Sequence, residues 1–279
     1  MSGTNFATYN QPVIVNSATE PVAIKNTYDG PLVVLSGTGG IDFQAGNSTI
    51  GGAVFVEGGQ NTIAGGPTAA NRTSLNGGLQ GNWLVDTEGG ESSVWFASGD
   101  NVAMLGGNDT IHAGGASALV IGTGHRTTLD VFVGPGDVTV QGGQTKADYI
   151  RADGLPSGND LLVGGSGGHN TITAGAGVTT IAGAGSDNMV FVSGTDTIRP
   201  GNGHDTVVFD DSMMQNVAKQ DLIVGWKSSD TAELVGYDPS HTSLSNWVLG
   251  AVLTLPNGTT VTFAAVSSNE VHLTVGELG

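Results

Sequence analysis

Between Ser157 and Asp211 one short pattern returns often enough to dictate the path of the backbone. Its apolar beats are Asp160-Leu161-Leu162, Asn170-Thr171-Ile172, Thr179-Thr180-Ile181, Asp187-Asn188-Met189, Asp196-Thr197-Ile198 and Asp205-Thr206-Val207, spaced 10, 9, 8, 9 and 9 residues apart. A glycine usually stands two residues before the Asp or its substitute (Gly158, Gly168, Gly177, Gly185, Gly194 and Gly203), so the unit is G-x-D-x-U with U apolar. A unit this short cannot bury a core alone. It must stack on copies of itself.

Glycine permits the positive φ of a tight turn, and three β-prone residues then form a short strand whose apolar side chain points inward. Two units make one coil of about 18 residues. Alternate units then fall on opposite sheets, with Leu162, Ile181 and Ile198 stacked on one and Ile172, Met189 and Val207 on the other. The expected fold is all-β: a right-handed parallel β-helix or β-roll solenoid with capping strands and one short helix.

An acidic residue at a fixed place in every turn stacks above its counterpart one coil away and repels it. One side carries Asn170, Asp187 and Asp205, the other Asp160, Thr179 and Asp196. Either a cation sits between them or the carboxylates only cap turns through backbone N–H groups.

The G-x-D-x-U unit resembles the calcium-binding nonapeptide of RTX (hemolysin-type) proteins. That resemblance implies Ca²⁺ held by carboxylates and turn carbonyls of adjacent coils, an all-oxygen site. It implies one to three ions, with Asp187 and Asp205 as the best pair, Asn170 with Asp187 as a weaker one, and Asp160 and Asp196 interrupted by Thr179. Gly185 and Gly203 belong to the same turns. A separate fragment, Gly107-Asn108-Asp109-Thr110-Ile111, makes Asp109 a candidate for a further ion or for plain turn chemistry.

The 279 residues carry Lys+Arg 8 against Asp+Glu 25, a formal charge of −17, and 47 glycines. Glycine at more than twice ordinary usage, about 7%, serves backbone geometry. With 12% charged and 38% hydrophobic residues the chain is not of the disordered class. The net charge disfavours nucleic acid and anionic membranes, both of which need clustered Lys and Arg. The absence of cysteine excludes disulfides and thiol catalysis. Residues 1–30 lack a basic region followed by an apolar one, and no run of about 18 apolar residues forms a membrane span. The resemblance implies export by a type I route guided by an uncleaved C-terminal signal.

Four regions follow. Residues 1–30, with short strands in Asn5–Asn16 and Pro21–Ile24, read as a cap or as an arm that donates a strand to a neighbour. Residues 31–156 read as a less regular β-helix with a protruding loop at Pro67–Gly78. Residues 157–211 are the RTX-like roll. Residues 212–279 read as a C-terminal cap and secretion-signal region, with a helix over Ser212–Asp221 and a hairpin turn at Pro256-Asn257-Gly258.

No H-E-x-x-H, G-x-S-x-G, P-loop or Rossmann fingerprint is present. His169 and His204 fall at turn positions, and Arg126, Lys146, Arg151 and Arg199 are dispersed. The expectation is a secreted, non-enzymatic, calcium-binding solenoid that self-associates as a surface-layer, biofilm-matrix or fibre element. The alternatives are a polysaccharide-binding or lyase-like β-helix, and an ice-binding or adhesin module built on the threonines that precede the apolar beats.

Overall fold

The structure, a computed structural model, describes the strands alone up to Phe96 and, from Asn101 to Gly276, every residue except 114–116, 123–127, 135, 145–147, 153–157, 187 and 214–217. The chain forms two compact units, Met1–Val138 with Gly142–Gln144 and Thr139–Gln141 with Thr145–Gly279. In each, successive strands alternate between two parallel sheets, which makes each unit a β-solenoid. Helix is almost absent: among the described residues it amounts to two single 3₁₀ turns, Pro239–His241 and Ser268–Glu270. No described helix is long and apolar enough to cross a membrane.

In the first unit the strands before residue 30 take the positions of regular coils. Ala7–Tyr9 pairs in parallel with Val22–Asn26, and Ile14–Ser17 with Val33–Ser36. They are layers of the solenoid, not a lid laid across it or a free arm. Within the expected loop Pro67–Gly78, Arg72–Asn76 is a strand flanked by Ala53–Val56 and Glu91–Phe96. Residues 67–71 and 77–78 of that loop lie outside the described residues. The polar run Arg72-Thr73-Ser74-Leu75-Asn76 is a poor strand by composition, and the register of its two neighbours overrides that preference.

The core of this unit holds Val94, Phe96, Ile111, Ala113, Leu129, Val131 and Val133 from one sheet and Ala103, Ala118 and Val120 from the other. On the outer face Trp95, His112 and Phe132 come from three successive strands of one sheet. Their rings stack at centroid distances of 3.6 and 4.5 Å. The rings cover one another's faces, which makes the row a cross-strand clasp between coils.

In the second unit, sheet A contains Asn159–Val163, Val178–Ala182, Thr195–Arg199 and Gln220–Val224, followed by Thr260–Ala264, Gly250–Thr254 and Ser243–Trp247. Sheet B contains Tyr149–Ala152, Thr171–Thr173, Met189–Val192, Thr206–Asp210, Thr231–Val235 and His272–Gly276. Leu162, Ile181 and Ile198 stack inward on sheet A as expected, and Ile223 extends the column.

Sheet B departs from expectation by one residue. Val190 pairs with Ile172 and Val207 and is fully buried, while Met189 points out and is 41% exposed. Met189-Val190 offers two adjacent apolar candidates, and a slip of one residue exchanges the faces of a whole strand.

Beyond the repeats the expected helix over Ser212–Asp221 does not form. Asp211 to Met213 make a turn, residues 214–217 lie outside the described residues, and Asp221 sits in the strand Gln220–Val224. The expected hairpin at Pro256-Asn257-Gly258 is present: Gly258 N donates to Leu255 O at 2.9 Å, with φ of +84° at Gly258. It joins Gly250–Thr254 to Thr260–Ala264 in antiparallel pairing.

The register predicts opposite outcomes for two neighbouring substitutions. Val190→Ala should lower unfolding free energy by about 2 kcal/mol through the cavity it leaves, whereas Met189→Ser should change it by less than about 0.5 kcal/mol. Urea denaturation of both variants checks this. A larger effect at Met189 would restore the alternative register.

Candidate functional site

The D-x-U spacing places the polar residue and the apolar one on the same face of a strand, because side chains alternate with period two. Both therefore point inward. On sheet B the column is Asp148, Asn170, Asn188, Asp205 and Asp230; on sheet A it is Asp160, Thr179, Asp196 and Asp221; all are buried. A buried polar group must find a partner inside the protein, and in a solenoid that partner lies one coil away.

Sheet B solves this with amides. Asn170 Oδ1 accepts from the Asp148 and Gly165 backbone N–H groups at 3.2 and 3.0 Å. Its Nδ2 donates to Gly165 O, to Ala184 O and to Asn188 Oδ1, the last at 2.7 Å. Asn188 repeats the arrangement: its Nδ2 donates to Asp205 Oδ1 at 2.7 Å and to Pro200 O at 3.2 Å, and its backbone N donates to the same Asp205 oxygen. This is an amide ladder, each rung handing a hydrogen bond to the next.

The ladder changes character at Asp205, which stands beside a second carboxylate. Asp205 N donates to Asp230 Oδ1 at 3.2 Å, while the buried Asp205 Oδ2 has no partner. Burial pushes the Asp205 carboxyl up, the hydrogen bonds from Asn188 oppose this, and the Asp230 charge adds to it. Asparagine at this position would keep the oxygen that accepts from Asn188 and remove the buried charge. Asp205→Asn should therefore keep or raise the melting temperature at neutral pH, while Asn188→Ala should cost about 2 kcal/mol by stranding buried partners. Thermal and urea unfolding of the two variants measures both effects.

The turns that precede sheet B are packed backbone on backbone. His169 N donates to Ser186 O and Asn202 N to Gly185 O, each at 2.7 Å. Gly168 and Gly185 take φ of +77° and +78°, and a Cβ on either would run into the backbone of the adjacent turn. At the last of these turns Lys227 Nζ donates to Gly201 O at 2.5 Å and to Asn202 Oδ1 at 3.0 Å, and Ser229 Oγ donates to Gly203 O at 2.6 Å. An ammonium and a hydroxyl thus supply donors to the turn oxygens there.

Sheet A is built differently. Asp196 Oδ2 accepts from the Ser193 and Gly194 N–H groups, and Asp196 N donates to Asp221 Oδ1 at 2.9 Å. Asp196 Oδ1, Asp221 Oδ2 and Thr179 Oγ1 are buried without a hydrogen bond of normal geometry. Burial drives the Asp196 carboxyl to about 7 against the pull of its backbone donors and of Thr179. Asp221 is also driven to about 7, by burial and then by the Asp196 charge acting against the N–H bond it accepts from Asp196.

The sequence-derived candidates divide accordingly. Asn170 and Asp205 share one column, with Asn188 between them; Asp187, expected there, lies outside the described residues. Asp160 and Asp196 share the other column with Thr179 between them, as the repeat implied. Asp109 is inward and buried in the first unit, with Oδ2 accepting from Gly107 N at 3.2 Å. The carbonyls of Gly185 and Gly203 already accept from Asn202 N and Ser229 Oγ.

Calcium needs several free oxygens together. The Asn170–Asn188 segment does not fit that demand, since amide and backbone donors occupy its acceptors. The Asp196–Asp221 pair differs, leaving one oxygen of each carboxylate in the column without a hydrogen bond of normal geometry. Asp221 and Asp230 escaped the repeat because their coil is longer, each lying 25 residues beyond its counterpart. The D-x-U signature persists in Asp221-Leu222-Ile223 and, with a small U residue, in Asp230-Thr231-Ala232.

Among the described residues no group of three or more His, Asp or Glu side chains converges as a metal site. His169 and His204 are exposed at their turns. Arg151 and Arg199 lie on opposite sheets, and Arg126 and Lys146 lie outside the described residues. No protein-family model matches the chain, and a search of curated proteins finds no significant match.

The sheet A pair gives stability a definite pH dependence. In the unfolded chain both carboxyls titrate near 3.8, whereas the folded chain holds their protons up to about 7. The folded state binds more protons between these values, so stability from this pair is complete below about 4 and is lost as pH rises through about 7. The melting temperature should be higher at pH 5 than at pH 8, and the difference should shrink in Asp196→Asn and Asp221→Asn. Calorimetry across that range tests the sign.

Proposed function

We propose that this protein is a non-enzymatic, calcium-responsive β-solenoid acting as a self-associating structural element outside the cell, as in a surface layer, a biofilm matrix or a fibre. One observation carries the reading. The polar residues of the repeat direct their donors and acceptors along the column, coil to coil, rather than converging on a cleft where a substrate could react. Side chains used in this way hold successive coils together.

Calcium enters at the Asp196–Asp221 pair, where the neighbouring Thr179 Oγ1 is a further buried oxygen in the same column. Below about pH 7 protons occupy the pair; above it two stacked carboxylates call for a cation. External calcium suits weak sites of about 10⁻⁴–10⁻³ M. The charge of −17 is reduced by the same ion, which favours contact between molecules.

The competing readings draw less support. A lyase needs cations gathered around an acidic substrate, and the described arginines Arg151 and Arg199 are on different sheets. An ice-binding face needs an unbroken threonine array, but Thr180 and Thr197 are flanked in their row by Leu161 and Leu222, and Met189 separates Thr171 from Thr206.

Calcium should raise the melting temperature at pH 8, by several degrees at millimolar levels, and leave it unchanged at pH 5. Light scattering at pH 8 should show particle mass growing with calcium. Asp196→Asn with Asp221→Asn should abolish the thermal response. A chelated protein indifferent to calcium at pH 8 would remove calcium from the reading, and a monomer at every calcium level would remove assembly.

A further inference from the structure

The strands Ser243–Trp247 and Gly250–Thr254 are joined by the two-residue turn Val248-Leu249. Turns of this length draw Gly, Asn and Asp, which tolerate the required dihedrals or hydrogen-bond the backbone locally. Valine and leucine contribute neither. Their side chains are not used by the fold: Val248 is 93% exposed, Leu249 65% and the preceding Trp247 69%, the three highest exposures among the described large apolar residues. Two turn residues that break the local rule, next to an exposed strand tryptophan, are the kind of local exception that functional elements show.

The surroundings identify what it touches. From Thr242 to Asn269 the sequence contains no Asp, Glu, Lys, Arg or His, although the whole chain carries a charge of −17. Beside Trp247 an open cleft of about 480 Å³ is lined by Gln220, Ser245, Val252, Thr260 and Thr262, mostly uncharged hydrogen-bonding groups. The element is thus an apolar tip beside a largely uncharged polar cleft, with Glu270 at the end of the 3₁₀ turn that packs against the same hairpin.

That arrangement matches the edge of a lipid bilayer, with acyl chains below and headgroups at the level where tryptophan settles. The three side chains expose on the order of 400 Å², about half of what one partner contributes to a stable protein interface.

We propose that Trp247-Val248-Leu249 is a membrane-surface anchor that inserts its tip into the headgroup–acyl boundary of uncharged, zwitterionic bilayers. The absence of charge on the hairpin removes the desolvation cost of insertion, and the net negative charge of the chain selects against anionic lipid. A tip of three residues gives reversible attachment, of the strength of a single weak anchor. The proposal stands on the hairpin alone and does not depend on calcium.

The test is flotation of the full-length protein with phosphatidylcholine vesicles, in chelator and in calcium, alongside quenching of tryptophan emission by brominated phosphatidylcholine. Wild type should float and be quenched, and replacing part of the lipid with phosphatidylserine should weaken both signals. Val248→Asp should lower the bound fraction roughly tenfold or more with an unchanged circular dichroism spectrum. Trp247→Phe should remove most of the quenching while retaining flotation. Wild type remaining unbound at every lipid concentration overturns the proposal, as does equal flotation of Val248→Asp. A lipid-free dimer of the wild type that Val248→Asp dissociates would assign the tip to self-contact and overturn it as well.

Discussion

Everything in the second unit follows from parallel strands stacked in register. Each inward side chain meets the side chain at the equivalent position one coil away, so a buried polar residue is solvated by its own counterpart. An amide suits this because it accepts on one side and donates on the other. A carboxylate accepts on both. A column of asparagine closes on itself, and a column of aspartate remains open for a proton or a cation. Sheet B follows the first course from Asn170 through Asn188 to Asp205, and sheet A follows the second at Asp196 and Asp221.

The difference between the columns explains why one repeat supports two kinds of chemistry. At Asn188 the amide nitrogen occupies the place between stacked oxygens, so no charge accumulates. At Asp196 the backbone groups of Ser193 and Gly194 both donate to the same oxygen, and these donors and Thr179 oppose the burial of the carboxyl without offsetting it. The raised carboxyls are the expected response of a group whose charged form has lost water. Protonation answers that loss, and the calcium proposed for this column would compete with protons for the same oxygens.

The repeat made the sheets, the inward column of sheet A and the two polar columns legible from sequence, because period two and period 18 are both written in the residues. The register of sheet B was ambiguous at a single place. Asp187-Asn188 and Met189-Val190 each offer two adjacent candidates of the right type, and choosing the charged residue of the first pair selects the wrong member of the second. Only the packing of Val190 between Ile172 and Val207 decides it. Asp221 and Asp230 were hidden for another reason. A fixed period cannot register a longer coil, although the local D-x-U pattern survives it. In the first unit the strands near the start were visible, but their place as coils rests on pairing partners that a single segment does not reveal.

The end of the second unit shows how a solenoid avoids indefinite growth. Parallel stacking always leaves one further edge on which another coil fits. Sheet A escapes by reversing direction: Gly250–Thr254 and Ser243–Trp247 add as an antiparallel hairpin, and the turn before the last strand holds that hairpin through Ser268 N donating to Asn246 Oδ1 at 2.6 Å. Sheet B makes no such reversal and stops at His272–Gly276, still parallel to Thr231–Val235. Among the described residues sheet A thus ends on an antiparallel edge strand and sheet B on a parallel one. The hairpin that ends sheet A is at the same time an uncharged, outward-pointing apolar element of an acidic protein. Ending a sheet and touching a neutral surface need the same thing, a short reversal with no charge to desolvate, and the stretch from Thr242 to Asn269 supplies it for both.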